Sequence, residues 1–172
     1  QTLLTHGQFL PPYPASIQYS TLGGAVANNA VGEKSVKYGD TLAYVERLRV
    51  VLSNGEVLET GRLNKKELSK KMGLASMEGE VYRALDALID ENSELIAKLK
   101  ATRKSKHNSA GYNIFDVKGK DGSFDLTPLF VGSQGTLGVI SEMILKTEPH
   151  NPATTLVVAS FNDLELLSGI LP

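Results

Sequence analysis

The sequence contains no cysteine, no hydrophobic run long enough to cross a membrane, and almost no net charge. The absence of cysteine excludes a disulfide scaffold, a thiolate metal site and a cysteine nucleophile, and it favours an intracellular setting. No apolar run approaches the ~18 residues that a membrane-spanning helix needs. The net charge of −1 provides no general attraction to nucleic acid or to an anionic membrane. We therefore expect no nucleic-acid partner and no integral membrane segment.

The 172 residues, of which 41% are hydrophobic and 22% charged, have the composition of an ordinary globular protein. This length allows one domain with a core, or one domain and the start of another. No signal peptide is recognisable, and the chain begins at Gln1 instead of Met. We expect a piece of a longer cytoplasmic protein, for which peripheral attachment to a membrane stays open.

The most informative segment is Phe130–Ile140, where Gly132, Gly135 and Gly138 recur at every third position before an alternating apolar run. Glycine permits positive φ and lets a ligand approach the backbone N–H groups closely. Such a loop can bind an anion or the edge of a nucleotide. A simple turn before a strand has the same composition, so the loop alone leaves both interpretations open.

A second glycine pair stands at the predicted start of a short helix. Ser20 or Thr21 can cap this helix, and Gly23-Gly24 would then offer unpaired N–H groups and the positive end of the helix dipole to a phosphate. The chain matches neither the P-loop nor the Rossmann fingerprint. A nucleotide site in this chain would therefore belong to another fold.

Local patterns predict the remaining elements. Apolar alternation on both sides of Asn54-Gly55 predicts a β-hairpin over residues 44–60 with a type I′ turn. Residues 64–100 are predicted to be helical, with a capping box from Asn64 to Glu67 and a stop at Gly73. Ser76 is predicted to cap a second helix, whose buried face would carry the apolar residues Val81, Leu85, Leu88 and Ile89. Further predictions are a helical turn over 125–130, strands over 139–146 and 154–161, and a helix that begins at Asn162.

Seven short segments, taken in order, resemble the FAD-linked oxidase family. These are flavoproteins with a vanillyl-alcohol-oxidase (PCMH) type FAD domain, and the family includes D-lactate and glycolate dehydrogenases. The segments cover most of residues 8–150 apart from the helical stretch, and their shared order argues against chance similarity. They are Pro14-Ala15-Ser16, Ser20–Gly24, Ala27–Gly32, Tyr38-Gly39, Asn54-Gly55, Asn108–Tyr112 and Gly132–Ile140.

The resemblance implies an α+β fold with a mostly antiparallel sheet flanked by helices. It implies that residues 1–150 are the second FAD-binding subdomain, with a helical insertion over about 62–105, and that residues 151–172 begin the substrate (cap) domain. The Gly-Gly-Gly-Thr loop that wraps the FAD pyrophosphate in the family lies in the first subdomain and does not occur in this sequence. We therefore expect the isolated chain not to retain FAD.

By the same resemblance, the chain is a fragment of an FAD-dependent oxidoreductase that dehydrogenates a small 2-hydroxy acid by hydride transfer to flavin, with an electron acceptor as its other partner. No catalytic residue is assigned, because the family's substrate-binding groups lie in the cap domain, and no metal is expected. The positions carried over as cofactor contacts are Pro14, Ser16, Gly23, Gly24, Asn28, Asn29, Gly39, Gln134, Gly135, Gly138 and Val139.

Two positions depart from the family pattern. Gln134 replaces the usual Glu, which removes a negative charge but keeps a hydrogen-bond acceptor, and Val31 stands where Gly or Ser is usual. These departures and the charged helical stretch are compatible with an alternative, a non-catalytic FAD-like module for protein association. A nucleotide-binding domain without redox chemistry is a third possibility. Tyr112 is expected either to pack under the sheet or to approach the flavin, and packing is the favoured alternative.

Overall fold

The computed structural model of the chain describes residues 2–103 and 109–161. Two 3₁₀ turns, Thr41–Tyr44 and Ile114–Asp116, accompany its helices and strands. In chain order these are α1 (Thr2–Thr5), β1 (Gln8–Phe9), α2 (Leu22–Ala27), α3 (Ser35–Tyr38), β2 (Val45–Val51), β3 (Val57–Glu59), α4 (Lys65–Met72), α5 (Met77–Glu91), α6 (Ser93–Thr102), α7 (Thr127–Phe130), β4 (Val139–Leu145) and β5 (Glu148–Pro149).

A three-stranded antiparallel sheet with the order β3-β2-β4 forms the centre of the fold. In β2, Val50 lies opposite Leu58 of β3, and Leu48 lies opposite Met143 of β4. The pairing of β2 with β4 contains two register shifts, which increase the local twist of the sheet. The predicted α+β class with an antiparallel sheet is confirmed.

One face of the sheet carries the core. Leu48, Val50 and Leu58 have no exposed surface, and they belong to one hydrophobic cluster with Tyr82 of α5 and Phe124. The alternation along β2 places Leu48 and Val50 inward, and that along β3 places Leu58 inward, because successive residues of a strand point to opposite faces. Full burial of such a side chain stabilises the fold by about 1.5–3 kcal/mol, so the sheet and α5 support each other.

The hairpin over 44–60 is confirmed, but its predicted turn type is wrong. Leu52 N donates to Glu56 O at 2.8 Å, and Gly55 N donates to Leu52 O at 2.9 Å, which leaves a three-residue loop. Gly55 has a φ of +86°, whereas Asn54 is not among the residues with positive φ. A type I′ turn requires positive φ at both central positions, while a three-residue loop needs it at the last position alone.

The predicted boundaries of the helices between residues 64 and 100 are confirmed, but the predicted buried face of α5 is partly wrong. Asn64 and Glu67 form the predicted capping box of α4, and Ser76 caps α5. The apolar pattern predicted Leu88 on the buried face of α5, but its side chain is 44% exposed, while Tyr82 is fully buried. Since Tyr82 joins the core of the sheet, this stretch is a packing layer of the domain.

The strand predicted over Thr154–Phe161 is wrong. Residues 150–161 form neither helix nor strand, and Val157 and Val158 are 82% and 83% exposed. The backbone groups of a strand need a neighbouring strand as partner. The nearest strand in sequence, β5, pairs with β1 and not with residues 154–161. The helix predicted from Asn162 lies outside the described residues, as does half of the predicted cap-domain segment 151–172.

Candidate functional site

Helix α2 begins as predicted, with Thr21 as its N-cap. Gly24 N donates to Thr21 Oγ1 at 3.0 Å, so the prediction of two unpaired amides is wrong for Gly24. A Cβ on Gly24 would lie 3.1 Å from the same oxygen, which explains the glycine. A Cβ on Gly23 would meet no atom within 4 Å, and Gly23 has no positive φ. Because glycine destabilises a helix by about 1 kcal/mol relative to alanine, internal packing does not account for Gly23.

The C-terminal end of α2 is joined to the segment before β2 by Asn29. This residue is only 6% exposed and has a φ of +47°. Asn29 Nδ2 donates to Asp40 Oδ2 at 3.0 Å, and Asn29 Oδ1 accepts from Leu42 N at 2.9 Å. Both ends of the amide are therefore used within the protein, and Gly39, next to Asp40, is held beside α2.

The glycine loop after α7 is attached to the same helix end. Gly132 N donates to Val26 O at 3.0 Å, and Gln134 N donates to Ala27 O at 2.9 Å. The last carbonyls of a helix have no partner within the helix, and here the loop supplies two. Gly135 is exposed, has a φ of +77°, and a Cβ on it would meet no protein atom within 4 Å.

The tip of the glycine loop is a tight turn. Thr136 N donates to Ser133 O at 3.0 Å, and the central residues Gln134 and Gly135 have φ values of +53° and +77°, as a type I′ turn requires. The hydroxyls of Tyr112 and Thr136 are 2.8 Å apart. The favoured expectation that Tyr112 packs under the sheet is wrong, because its side chain is 49% exposed beside this turn, and its approach to the flavin stays a prediction. Sequence reasoning missed the pair, and only the Gly-Tyr motif pointed to it.

The proline-rich segment also approaches α2. A Cβ on Gly32 would overlap the carbonyl oxygen of Tyr13 and lie 3.6 Å from Pro14 Cα, so this contact requires a glycine. The hydroxyls of Ser16 and Ser20 are 2.8 Å apart, just before the cap of α2. Residues 13–16 therefore lie against the segments that precede and follow the helix.

The structure thus brings four predicted segments to one short helix, which is about 9 Å long at 1.5 Å per residue. Asn29 and Gly138 have roles within the protein, since a Cβ on Gly138 would lie 2.6 Å from Val50 Cγ1. Val139 begins β4 and is 67% exposed. Contact with a cofactor stays a prediction at every one of these positions. Those with solvent-exposed residues are Ser16, Asn28, Gln134, Gly135 and Val139.

The pKa values of two side chains near these segments are shifted, those of Tyr13 and Asp116. Tyr13 donates to Glu33 Oε1 at 2.7 Å, and this hydrogen bond, with burial, raises the pKa of Tyr13. Burial acts to raise the pKa of Asp116, but hydrogen bonds from Lys100 and Asn113 outweigh it and lower the pKa. Asp116 is therefore charged at neutral pH and ties the segment that carries Tyr112 to α6.

One cavity in the described part of the chain lies elsewhere. It measures about 540 Å³ and is lined by residues 62–67, Asp121 and Ser123. None of these belongs to the segments around α2, namely residues 14–16, 21–24, 39 and 132–135, which we call the glycine surface. Arg62 and Asp121 form an ion pair across 2.6 Å there. Within residues 2–103 and 109–161, no cluster of three or more metal-ligating side chains occurs, and no helix has the length and apolarity to cross a membrane.

The glycine surface suits a cofactor with a phosphate group and a flat ring. Gly23 and Gly135 leave open space where any other residue would place a side chain, and main-chain amides near a helix start bind phosphate oxygens. Open backbone positions of this kind are typical of domains that bind a nucleotide cofactor.

Comparison with known proteins indicates the cofactor and points to a family. Residues 1–61 match the family model described as "FAD binding domain". The chain is 30% identical over 159 residues to the glycolate oxidase subunit GlcD of Bacillus subtilis, and 32% identical over 145 residues to a D-2-hydroxyglutarate dehydrogenase of Haemophilus influenzae. It is 27% identical over 166 residues to a D-lactate dehydrogenase of Anaerostipes hadrus. The domain match and these relatives support an assignment to the FAD-linked oxidase family, and FAD is the cofactor that the match indicates.

The matches cover 92%, 83% and 96% of this chain, in the same order. The chain itself spans 23%, 14% and 24% of those three relatives. It therefore corresponds to less than a quarter of each relative, and most of each relative's length has no counterpart in these residues.

Proposed function

We propose that the chain forms one wall of the FAD site in an oxidoreductase that dehydrogenates a small 2-hydroxy acid. The observation that carries this proposal is the attachment of the glycine loop to α2, through Gly132 N to Val26 O and Gln134 N to Ala27 O. These bonds attach the glycine loop to the C-terminal end of α2, and we propose that the open positions Gly23 and Gly135 both face the cofactor.

The proposed contacts are mainly contacts of the backbone. Among the described residues, Gly23 N–H has no acceptor and stands at the start of α2, where an anionic oxygen is favoured. Gly135 lets the flavin approach the turn closely, and the exposed Gln134 side chain can donate or accept at its edge. The chain thereby binds and orients FAD, which supplies the two-electron acceptor.

The relatives support the substrate class. Their names specify glycolate, D-2-hydroxyglutarate and D-lactate, and each of these is a 2-hydroxy acid. We propose the same class for the complete protein, with an electron acceptor as second partner. Residues 1–150 would be the second FAD-binding subdomain and residues 151–172 the start of the cap domain. The isolated chain, with one wall only, would bind FAD weakly.

The test compares Gly135→Val with Gly55→Val in the complete protein. Both glycines have positive φ, +77° and +86°, and a Cβ on either meets nothing within 4 Å, so both substitutions strain the backbone alike. Only Gly135 lies on the glycine surface. We expect Gly135→Val to reduce the flavin content after purification, while Gly55→Val keeps it at the wild-type level. Equal flavin content in both variants would contradict the proposed site.

One observation favours the association module as the second candidate. On α6, Leu95 and Leu99 are 54% and 47% exposed. The absorbance of the purified complete protein separates the two functions, because bound flavin absorbs near ~450 nm. A colourless protein that binds a partner protein would favour the module. A colourless protein that binds a nucleotide would indicate a nucleotide-binding domain without redox chemistry.

A further inference from the structure

The turn at the tip of the glycine loop is strained. Gln134 has a φ of +53°, a left-handed conformation that is unfavourable for a residue with a Cβ. Such a conformation persists where surrounding contacts hold it in place. One contact is Gln134 N to Ala27 O at 2.9 Å, on the side of α2. The other side of the turn is held by Tyr112.

The direction of the hydrogen bonds on that side follows from their geometry. Thr136 Oγ1 donates to Ser133 O at 2.6 Å, which uses the only hydrogen of the threonine hydroxyl. In the 2.8 Å contact between the two hydroxyls, Tyr112 is therefore the donor and Thr136 the acceptor. A chain of two hydrogen bonds leads from Tyr112 through Thr136 to Ser133, the first residue of the turn.

Tyr112 has its own support. Ile114 N donates to Tyr112 O at 3.0 Å at the start of a 3₁₀ turn. Lys100 of α6 donates to Phe115 O at 3.1 Å and to Asp116 Oδ1 at 2.7 Å within the same turn. The segment that carries Tyr112 is thus attached to α6. Through its hydroxyl, Tyr112 connects α6 to the glycine loop.

We infer that Tyr112 is a positioning residue for the FAD-binding loop: through Thr136 it fixes the peptide between Gln134 and Gly135 in the orientation that receives the flavin. This inference rests on the proposed function. The role requires only the tyrosine hydroxyl and the threonine oxygen, and no contact between Tyr112 and the flavin.

The test measures the FAD dissociation constant of the complete protein, after removal of its flavin and titration with FAD. Loss of one such hydrogen bond predicts binding about 5- to 10-fold weaker for Tyr112→Phe and for Thr136→Val. The double variant should be no weaker than either single variant, because both changes break the same chain of bonds. Thr136→Ser, which keeps the oxygen, should bind within about twofold of wild type.

Tyr44→Phe is the matched control. It removes a tyrosine hydroxyl that donates to Glu148 Oε1 at 3.1 Å, away from the glycine loop, and should leave FAD binding unchanged. Amide hydrogen exchange of the flavin-free protein gives a second readout, because Tyr112→Phe should accelerate exchange at Thr136 N and Tyr44→Phe should not.

The outcomes separate the inference from the function on which it rests. If wild-type protein binds FAD and Tyr112→Phe binds it equally well, the positioning role is overturned and the proposed function stands. If additive losses occur in the double variant, the two hydroxyls act independently and the inference is also overturned. If wild-type protein binds no FAD, the proposed function fails and this inference fails with it.

Discussion

The side-chain amide of Asn29 bonds to the carboxylate of Asp40, with Nδ2 and Oδ2 3.0 Å apart, while its oxygen accepts from Leu42 N at 2.9 Å. Asn29 therefore closes the connection between α2 and the segment that contains Gly39. An asparagine can serve here because one end of its amide donates and the other accepts. A residue other than asparagine at position 29 would therefore lose at least one of the two hydrogen bonds that hold Gly39 beside α2.

Asn29→Asp should destabilise the protein in a pH-dependent way. The introduced carboxyl would face Asp40 where a donor stood before, and we expect a loss of about 2–3 kcal/mol at pH 7 from the buried like charge. The repulsion raises the pKa of the introduced carboxyl above its unfolded value of about 3.9. Its protonated form is therefore favoured in the folded state, and the loss should shrink as the pH falls from 7 toward about 4.

Urea unfolding of Asn29→Asp at several pH values tests this expectation. Asn28→Asp is the control, because Asn28 is the exposed neighbour in sequence and makes the same change of charge. Its loss should be small, within about 0.5 kcal/mol. A pH-independent difference between the two variants would show that the contact with Asp40 is not responsible.

Gly23→Ala should make the protein more stable and worse at holding FAD. The helix gains about 0.5–1 kcal/mol from the replacement of glycine, and the new Cβ meets no protein atom within 4 Å. If the ligand occupies that space, FAD binding should weaken about tenfold, which corresponds to about 1.4 kcal/mol. Thermal unfolding of the flavin-free protein and FAD titration measure the two effects separately.

Gly73→Ala is the matched control for this variant. Gly73 has a helical φ of −75° at the end of α4, and a Cβ there makes an ordinary contact, 3.4 Å from Lys70 O. The control should change stability modestly and leave FAD binding unaltered. If Gly23→Ala binds FAD as tightly as wild type, no ligand lies against Gly23.

Gly32→Ala should have the opposite sign to Gly23→Ala, although the substitution is the same. The new Cβ would overlap Tyr13 O, a backbone atom that cannot turn aside. Forcing this contact apart should lower the free energy of unfolding by about 1–3 kcal/mol and displace the segment of Pro14. Unfolding curves of the two variants, recorded under identical conditions, check the difference. A neutral Gly32→Ala would mean that residues 13–16 do not pack against this position.

Local signals in the sequence predicted the local parts of the fold. The cap at Thr21, the capping box from Asn64 to Glu67 and the cap at Ser76 depend on residues within four positions of each other. The alternation in β2 likewise reports its own buried face. Each of these features was correct because its cause lies within a single element.

The failures came from interactions over longer distances in sequence. The type I′ turn was assigned to Asn54-Gly55, but positive φ at two adjacent residues occurs at Gln134-Gly135, where contacts with α2 and Tyr112 hold the turn. The favoured prediction that Tyr112 packs under the sheet was wrong, because its hydrogen-bond partner Thr136 is 24 residues away and no local pattern reveals that contact. The prediction of a strand over 154–161 was wrong because these residues have no neighbouring strand in the described part of the chain. An alternating pattern in the sequence does not show whether such a neighbour exists.

Tyr82 provides a test of the core. The side chain is fully buried, with its ring centroid 5.8 Å from that of Phe124. Among the described residues, its hydroxyl has no hydrogen-bond partner. Burial first, and then the nearby carboxylates of Glu78 and Asp125, raise the pKa of Tyr82, so the hydroxyl stays neutral. An unpaired buried hydroxyl destabilises the folded state by about 1–3 kcal/mol.

Tyr82→Phe should therefore raise the free energy of unfolding by about 1 kcal/mol, because it removes the unpaired oxygen and keeps the ring. Tyr44→Phe makes the same change at a buried tyrosine whose hydroxyl donates to Glu148, and it should lower the free energy of unfolding by about 1 kcal/mol. Urea unfolding of both variants decides the point. If Tyr82→Phe loses as much stability as Tyr44→Phe, the Tyr82 hydroxyl has a partner, and an internal water between α5 and Asp125 becomes the explanation to examine by water-selective NMR.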